Sequence, residues 1–240
     1  LGNWTGFSTK LYTNLFTGDM QGSGSLMSAI QNTFEITLSR LIFQFPVAII
    51  LALLLAVIAV AACILFRYYP HYRKHKAPIT VHTAQSDQIK IMSYNVRCLT
   101  PLDLGQKSWY YRADLIMSDI ASEAPDIIGF QEATKWHYSY LVDCLKGYDS
   151  IITYRDEAFN SEGCPIFYNT ELYTLVDKGS FWLSETPDVP SKSWGAQFNR
   201  VCSYVILTDK ATKQDFVVFN THLSHVSDEA RINGIKVVLD

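Results

Sequence analysis

One uncharged apolar run constrains this chain more than any other feature. Val47 to Phe66 holds 20 consecutive apolar residues, and a helix of about 20 residues crosses a bilayer. A buried core helix is the alternative, but such helices are usually shorter and carry some polar residues. The run is also too long for the apolar core of a cleavable signal peptide, and no small-residue exit follows it. We therefore predict a single-pass membrane protein with a transmembrane helix at 45–66.

The flanks of this run predict its orientation. Only Arg40 lies close before it, whereas the stretch after it combines tyrosines with four cationic residues: Arg67, Arg73, Lys74 and Lys76. The positive-inside rule then places the C-terminal part of the chain in the cytoplasm. We predict that residues 1–44 form a loop and then an interfacial helix or the end of another span. Residues 67–88 are predicted to be a basic juxtamembrane linker.

Charge divides the chain near the same place. Residues 1–86 hold six Lys or Arg and two Asp or Glu, whereas residues 87–240 hold 14 and 21. An acidic domain is a weak electrostatic trap for nucleic acid, although it can hold cations or simply be soluble. The five cysteines show no zinc-ligand spacing, so we predict mostly buried free thiols, which fits a reducing compartment.

The residues after 88 predict alternating strands and helices. Ser108 to Ala124 is predicted to be an amphipathic helix, because Trp109, Ala113, Ile116 and Ile120 share one face. The other predicted elements are strands at 89–94, 126–130, 150–154, 165–168, 172–176, 204–208 and 215–220, and helices at 135–145 and from 228 onward. A β-α-β opening followed by hairpins predicts a mixed α/β domain in which two sheets pack together with helices outside.

Three of these strands end in unusual polar clusters. Asn95 follows the first strand, Gln131-Glu132 follows the second, and Asn220-Thr221-His222 ends the strand at 215–220. Taken singly, Asn95 suits a turn, Glu132 suits a solvated loop or a helix N-terminus, and His222 suits a structural hydrogen bond. Their joint occurrence in one short domain favours a functional site at one rim of a sheet.

The segments that carry these residues resemble a known superfamily. SYNVR at 93–97, PDIIGFQEAT at 125–134 and FNTHLSH at 219–225 are similar to DNase I-like endonuclease/exonuclease/phosphatase proteins. FWLSETPDVPSKSWGAQFNR at 181–200 resembles the bacterial and deadenylase-like branches. The resemblance covers residues 89–240 and implies an α/β four-layer sandwich of two mixed β-sheets flanked by helices. It also implies hydrolysis of phosphoesters with Mg²⁺ or Mn²⁺.

The resemblance assigns roles to the residues at the strand ends. Glu132 corresponds to the metal-binding carboxylate, which is sensible because hard cations take carboxylate oxygen. Asn95 corresponds to an asparagine that helps to hold the metal and the phosphate network. His222 corresponds to a histidine beside the scissile phosphate, where a cation or an N–H donor would stabilise developing negative charge.

The resemblance assigns three further charged residues. Glu162 corresponds to a carboxylate that orients the histidine, although an exposed hairpin acid is the alternative. Arg200 corresponds to an arginine that grips phosphate through two hydrogen bonds. Arg97 is predicted to face substrate as well.

Other residues near these motifs have plainer predicted roles. Asn220 is predicted to brace the loop that carries the histidine, and His225 is predicted to lie at the rim. Trp182 and Trp194 either contact substrate or contribute to packing.

Two motifs of the superfamily do not occur in this sequence. A Gly-Asp-x-Asn segment and a late Ser-Asp-His would follow the last predicted helix, and the sequence reaches Asp240 without them. We therefore expect the domain to be incomplete and the 240-residue chain to be inactive or nearly so. The predicted function is a membrane-anchored phosphoester hydrolase that acts on nucleic acid, a nucleotide or a phospholipid head group. The alternative is an inactive membrane-tethered binding module that retains half of the site.

Overall fold

The structure is a computed structural model that describes residues 26–67, 79–80, 88–100, 103 and 105–240. The chain divides into two compact units, Leu1–Phe66 and Arg67–Asp240. The loop predicted at the N-terminus and most of the predicted juxtamembrane linker lie outside the described residues.

The first unit contains one long apolar helix. Helix α1, Leu26–Ser39, runs through a π-helical turn at Arg40–Gln44 into helix α2, Phe45–Arg67. The π turn ends two residues before Pro46, a residue that has no N–H and obstructs a regular helical turn. The Ser28–Ile64 segment is long and apolar enough to cross a membrane, and an 18-residue stretch of it has a mean hydropathy of 3.3 and no burial. A signal sequence passes the same test of length and composition.

The second unit begins with a small parallel pair and a mixed four-stranded sheet. Strand β1 is Ile79–Thr80 and pairs with β4, Leu145–Lys146. The first sheet has the order β2-β3-β6-β5, and its strands are β2 (Ile91–Asn95), β3 (Ile127–Gln131), β5 (Tyr148–Ile151) and β6 (Ile166–Asn169). Strands β2 and β3 are parallel, with Asn95 opposite Gln131, so their carboxyl ends lie at the same edge.

The second sheet is an antiparallel meander. Its strands are β7 (Tyr173–Trp182), β8 (Val201–Asp209) and β9 (Asp215–Thr221). It packs on the first sheet through an apolar cluster that includes Ile127, Ile166, Val205 and Leu207, all fully buried. Burial of such side chains is the main favourable term that holds the sheets together.

Helices cover the other face of the first sheet. Helix α3 is Trp109–Glu123 and helix α4 is Lys135–Cys144, and a second apolar cluster joins them to the sheet. Its members include Trp109, Ala113, Ile116, Ile120, Ile128, Phe130, Tyr140, Leu141 and Phe167. The face predicted for α3 is therefore the buried one. Helix α5 is Asp228–Leu239. Ser227 caps its N-terminus, because the Ser227 hydroxyl accepts a hydrogen bond from the Ala230 N–H.

The structure confirms the predicted α/β architecture of two sheets flanked by helices. All five cysteines are free, and Cys144, Cys164 and Cys202 are buried, as predicted. Some strand ends differ from the predicted ones. The strand predicted at 150–154 is Tyr148–Ile151, and Tyr154 forms only an isolated bridge to Gly163. The strand predicted at 172–176 is the first part of the longer β7, which carries an irregularity between Leu175 and Asp177.

A buried histidine makes the stability of this domain depend on pH. His137 is fully buried, and its Nδ1 accepts a hydrogen bond of 3.1 Å from the Thr134 N–H at the start of α4. Burial, helped by Arg112, lowers the pKa of His137 to about 4. The unfolded chain therefore takes up this proton as the pH falls below about 6.5, whereas the folded chain does so only near 4.

We expect the free energy of unfolding to fall by about 3 kcal/mol through this residue as pH falls from 6.5 to 4. The measurement is denaturant unfolding at several pH values for the wild-type chain and for His137→Gln. Glutamine at this helix position retains the capping hydrogen bond but does not titrate, so the difference between the two pH slopes isolates His137. Equal slopes would contradict the prediction.

Candidate active site

The site begins where β2 and β3 end side by side. The Val96 N–H donates to the Gln131 carbonyl at 3.1 Å, which extends the pairing by one residue beyond the strands. The backbone then turns sharply in both segments, because Arg97 has a φ of 55° and Glu132 has a φ of 61°. These left-handed values are uncommon for residues other than glycine, and such strain is often found at functional sites.

The Glu132 carboxylate is held by hydrogen bonds on both oxygens. Asn95 Nδ2 donates to Oε1 at 2.8 Å, and the Cys98 N–H donates to Oε2 at 2.7 Å. Burial alone would raise the pKa of Glu132, but these two hydrogen bonds and the nearby His222 outweigh it and lower the pKa. Glu132 is therefore ionised and fixed in place at neutral pH.

The chemistry of these donors fits a hard divalent cation. Each Glu132 oxygen accepts one hydrogen bond from the protein and retains lone-pair capacity. The Asn95 amide oxygen accepts from the Arg97 N–H at 2.8 Å, and its nitrogen faces Glu132, so Asn95 also positions the carboxylate. Among the described residues, no three His, Cys, Asp or Glu side chains converge as a metal site. Mg²⁺ commonly uses one or two carboxylates and keeps several waters.

Strand β9 of the second sheet delivers His222 to this carboxylate. His222 follows directly after β9, and its Nε2 lies 4.0 Å from Glu132 Oε1. Burial and the nearby Arg200 lower the pKa of His222, although Glu132 opposes the shift. His222 is therefore neutral at physiological pH, and its ring nitrogens can exchange a proton with a bound group.

Asn220 joins the two sheets two residues before the histidine. Its Nδ2 donates to the carbonyls of Phe130 and Pro165 at 2.8 and 2.9 Å, and its Oδ1 accepts from Gln131 Nε2 at 2.8 Å. Gly129 makes room for it, because a Cβ there would lie 2.9 Å from the Asn220 side chain. Asn220 thus fixes the position of His222 relative to Glu132.

We expect Asn220→Ala to lower the free energy of unfolding by about 3 kcal/mol, because two buried carbonyls and the Gln131 amide lose their partner. The unfolding free energies of Asn220→Ala, of a control variant and of the wild type are measured by chemical denaturation. Asn233→Ala on α5 is the control, since Asn233 only accepts one hydrogen bond from the nearby Lys236, and we expect less than about 0.5 kcal/mol there. Equal losses in both variants would show that Asn220 does not join the sheets.

A small pocket beside Glu132 and His222 contains a buried cation. Arg155, Glu162, Asn199 and Arg200 line its other walls. Arg200 is only 6% exposed, and its Nε has no hydrogen-bond partner in the part of the chain that the structure describes. Its Nη2 is 3.0 Å from His225 Nδ1, and it forms no salt bridge with a described carboxylate. A buried guanidinium in this state is prepared to bind an anion.

Glu162, predicted to orient the histidine, forms an ion pair with Arg155. Its Oε2 accepts from Arg155 Nη1 at 2.8 Å, and the carboxylate closest to His222 among the ion pairs is Glu132. Burial raises the pKa of Glu162, while Arg155 partly offsets the shift. Glu162 lines the same pocket as His222, so the structure brings these two residues together without a direct bond.

Solved structures with a similar fold include a member of the endonuclease/exonuclease/phosphatase family. An endonuclease/exonuclease/phosphatase family protein from Bacteroides thetaiotaomicron is 36% identical, with a TM-score of 0.59 over 63% of this chain and 54% of that chain. A mannosyl-6-phosphatase from the same species is 35% identical, with a TM-score of 0.59 over 63% and 58%. The second unit has the endonuclease/exonuclease/phosphatase fold. We call it the EEP domain.

A curated relative points to the same superfamily. The Ccr4 subunit of Aspergillus oryzae, a 3′-5′-exoribonuclease of the CCR4-Not complex, is 26% identical over 167 residues, which is 58% of this chain and 22% of that protein. The chain spans less than half the length of the curated relatives that it matches. No protein-family model matches the chain.

The remaining predicted residues, Arg97, Trp182 and Trp194, each contact another segment of the EEP domain. Arg97 is engaged by Asp103 through two hydrogen bonds of 2.8 and 2.9 Å. Trp182 Nε1 donates to the Arg155 carbonyl at 2.9 Å, and the Trp194 carbonyl accepts from the Ser227 hydroxyl at 2.6 Å. The Trp182 side chain therefore supports the loop that carries Arg155, whereas Trp194 contacts Ser227 through its backbone.

Sequence reasoning missed Arg155. It lies in the loop between β5 and β6, where no periodicity or strand-end pattern marks it. Its side chain is only 15% exposed, and it pairs with Glu162 and lies over the Phe198 ring, 4.6 Å from the centroid. The only signal in the sequence is a charged pair, Arg155-Asp156, in the segment before Glu162.

Proposed function

We propose that this protein is a metal-dependent phosphoester hydrolase that its apolar helix holds at a membrane. One observation carries the proposal: an ionised Glu132, a neutral His222 and a buried Arg200 without an ion-pair partner line the same small pocket. Metal-dependent phosphoester hydrolysis uses three such groups: a carboxylate that binds the metal ion, a group that exchanges protons and a cationic side chain that binds the phosphate.

Each residue has a defined task in this proposal. Glu132 binds Mg²⁺ or Mn²⁺, with Asn95 holding the carboxylate and offering its own oxygen. Arg200 binds the phosphate, because its buried guanidinium has an Nε without a partner among the described residues and can donate to an anion. His222 donates a hydrogen bond to a phosphate oxygen or exchanges a proton at Nε2, the atom that faces Glu132. When bound, the cation neutralises negative charge on the phosphate and polarises it.

The remaining predicted residues play supporting parts. Glu162 holds Arg155 at the pocket wall and adds a negative charge near His222. Arg97 is proposed to contact substrate from the turn after β2, where Asp103 holds it by two hydrogen bonds.

The substrate is a phosphoester, and the candidates are a nucleic acid, a nucleotide and a phosphorylated head group or sugar. One similar structure is named as a phosphatase of a mannosyl 6-phosphate, and one relative as an exoribonuclease. The excess of acidic residues after 86 disfavours long nucleic acid. The apolar helix supports a substrate near a membrane, with the EEP domain on the cytoplasmic side.

The test is hydrolysis of a phosphoester panel by the purified protein in detergent, with Mg²⁺ and with EDTA in its place. The panel contains a 5′-nucleotide, mannose 6-phosphate, an inositol phosphate and a short RNA. Hydrolysis is measured on the 240-residue chain and on any longer form that the reading frame encodes. Phosphate binding is measured on the 240-residue chain. Hydrolysis that requires Mg²⁺ supports the proposal. Binding of phosphate with no hydrolysis in any form would favour the inactive binding module.

A further inference from the structure

Two exposed rings lie at the rim of the anion pocket. Phe198 comes two residues before Arg200, and its side chain is 39% exposed. His225 lies on the loop after β9, is exposed, and stacks on Phe198 with 6.3 Å between ring centroids and 29° between ring planes. An exposed aromatic pair that is held in place beside a polar pocket is a typical ligand contact.

Both rings are connected to the cations of the pocket. The Arg155 guanidinium lies 4.6 Å from the Phe198 ring centroid, and Arg200 Nη2 lies 3.0 Å from His225 Nδ1. The Phe198–His225 pair therefore has a fixed position relative to Arg200. A group attached to a phosphate on Arg200 comes within reach of these rings.

We propose that the Phe198–His225 pair is a stacking site for the base of a mononucleotide whose phosphate binds Arg200. The inference rests on the proposed function and names the substrate class of the same site. Nucleobases stack on aromatic side chains and on arginine, whatever the base, because every base has a flat π face. The excess of acidic residues in this part of the chain favours a single nucleotide over a polymer.

The experiment compares two ligands that differ only in the base. Adenosine 5′-monophosphate and ribose 5-phosphate are titrated by ligand-observed NMR into the full chain in detergent, in EDTA so that no turnover occurs. Stacking of one base predicts that the affinity for adenosine 5′-monophosphate is about ten times the affinity for ribose 5-phosphate. Phe198→Leu should reduce this ratio to near one while leaving the affinity for ribose 5-phosphate unchanged. Phe198→Tyr, which retains a flat ring, should preserve it.

The matched control is Phe219→Leu. Phe219 has a similar exposure, 43%, but lies with Phe181 and Tyr204 on the second sheet rather than at the pocket. We expect the ratio of the two affinities to stay at its wild-type value in this variant.

The possible failures can be told apart. If the wild-type chain binds neither ligand, the phosphate site at Arg200 and the stacking site are both wrong, whereas the Mg²⁺-dependent hydrolysis of the phosphoester panel decides the proposed function separately. If both ligands bind equally, or Phe198→Leu leaves the ratio unchanged, only the stacking site is wrong. If Phe198→Leu weakens glucose 6-phosphate as much as the nucleotide, the rings bind any cyclic substituent and the assignment to a base is overturned.

Discussion

Replacing Glu132 with glutamine should lower the affinity of the protein for Mn²⁺ by about a hundredfold or more, since even residues behind a metal ligand contribute ten- to a hundredfold. The reason is specific to this site. Glu132 accepts hydrogen bonds on both oxygens from the Asn95 amide and the Cys98 N–H. A glutamine must turn its NH₂ group toward one of these donors, so it loses a hydrogen bond as well as the charge.

Electron paramagnetic resonance of free Mn²⁺ gives the affinity directly, and Mg²⁺-dependent hydrolysis should fall with it in any active form. Glu171→Gln is the matched control, because Glu171 is exposed in the turn after β6, at the opposite end of the sheet from Glu132. A Glu132→Gln variant that binds Mn²⁺ as tightly as the wild type would remove Glu132 from the metal site.

Replacing Arg200 with methionine should have opposite effects on function and stability. Phosphate affinity should fall by at least about tenfold, because a charged hydrogen bond to an anion contributes about 1.5–3 kcal/mol. The melting temperature should stay constant or rise, since Arg200 is 6% exposed, has no partner on Nε and forms no described salt bridge. Replacing a buried charge of this kind by an apolar side chain of similar volume is often neutral or stabilising.

Two variants make the Arg200 result interpretable. Lys178→Met removes a positive charge from an exposed position on β7 and should change neither property. Arg155→Met should lower the melting temperature, because it leaves the half-buried Glu162 without its partner. Phosphate affinity and thermal unfolding of the four proteins are the measurements. A large loss of stability in Arg200→Met would show that Arg200 stabilises the folded domain, and would contradict its role as an anion-binding residue.

Strand ends were the most predictable part of the site. Asn95 and Glu132 follow neighbouring parallel strands, so their meeting at one sheet edge follows from the pattern of the sequence. The helix face of Trp109, Ala113, Ile116 and Ile120 was predictable because the helical period of 3.6 residues is visible locally.

Contacts between distant segments were not predictable. Asn220 meets Gln131 across 89 residues of sequence, and its fit depends on the missing side chain of Gly129. The pairing of Glu162 with Arg155 depends on a loop whose path has no periodic signal. The start of β8 at Val201 was missed because Ser203 interrupts its apolar pattern, yet Ser203 is fully buried opposite Asn220.

The division of the site between two sheets has a consequence for the newly made protein. Glu132 belongs to a sheet completed by residue 169, whereas His222 and Arg200 lie on either side of strands that pair only later in the chain. During synthesis, the first sheet leaves the ribosome before the segment that carries the histidine. At that stage the nascent chain carries Glu132, the proposed metal ligand, without His222, its proposed proton-exchanging partner, and the Asn220 hydrogen bonds that join the two sheets have not yet formed.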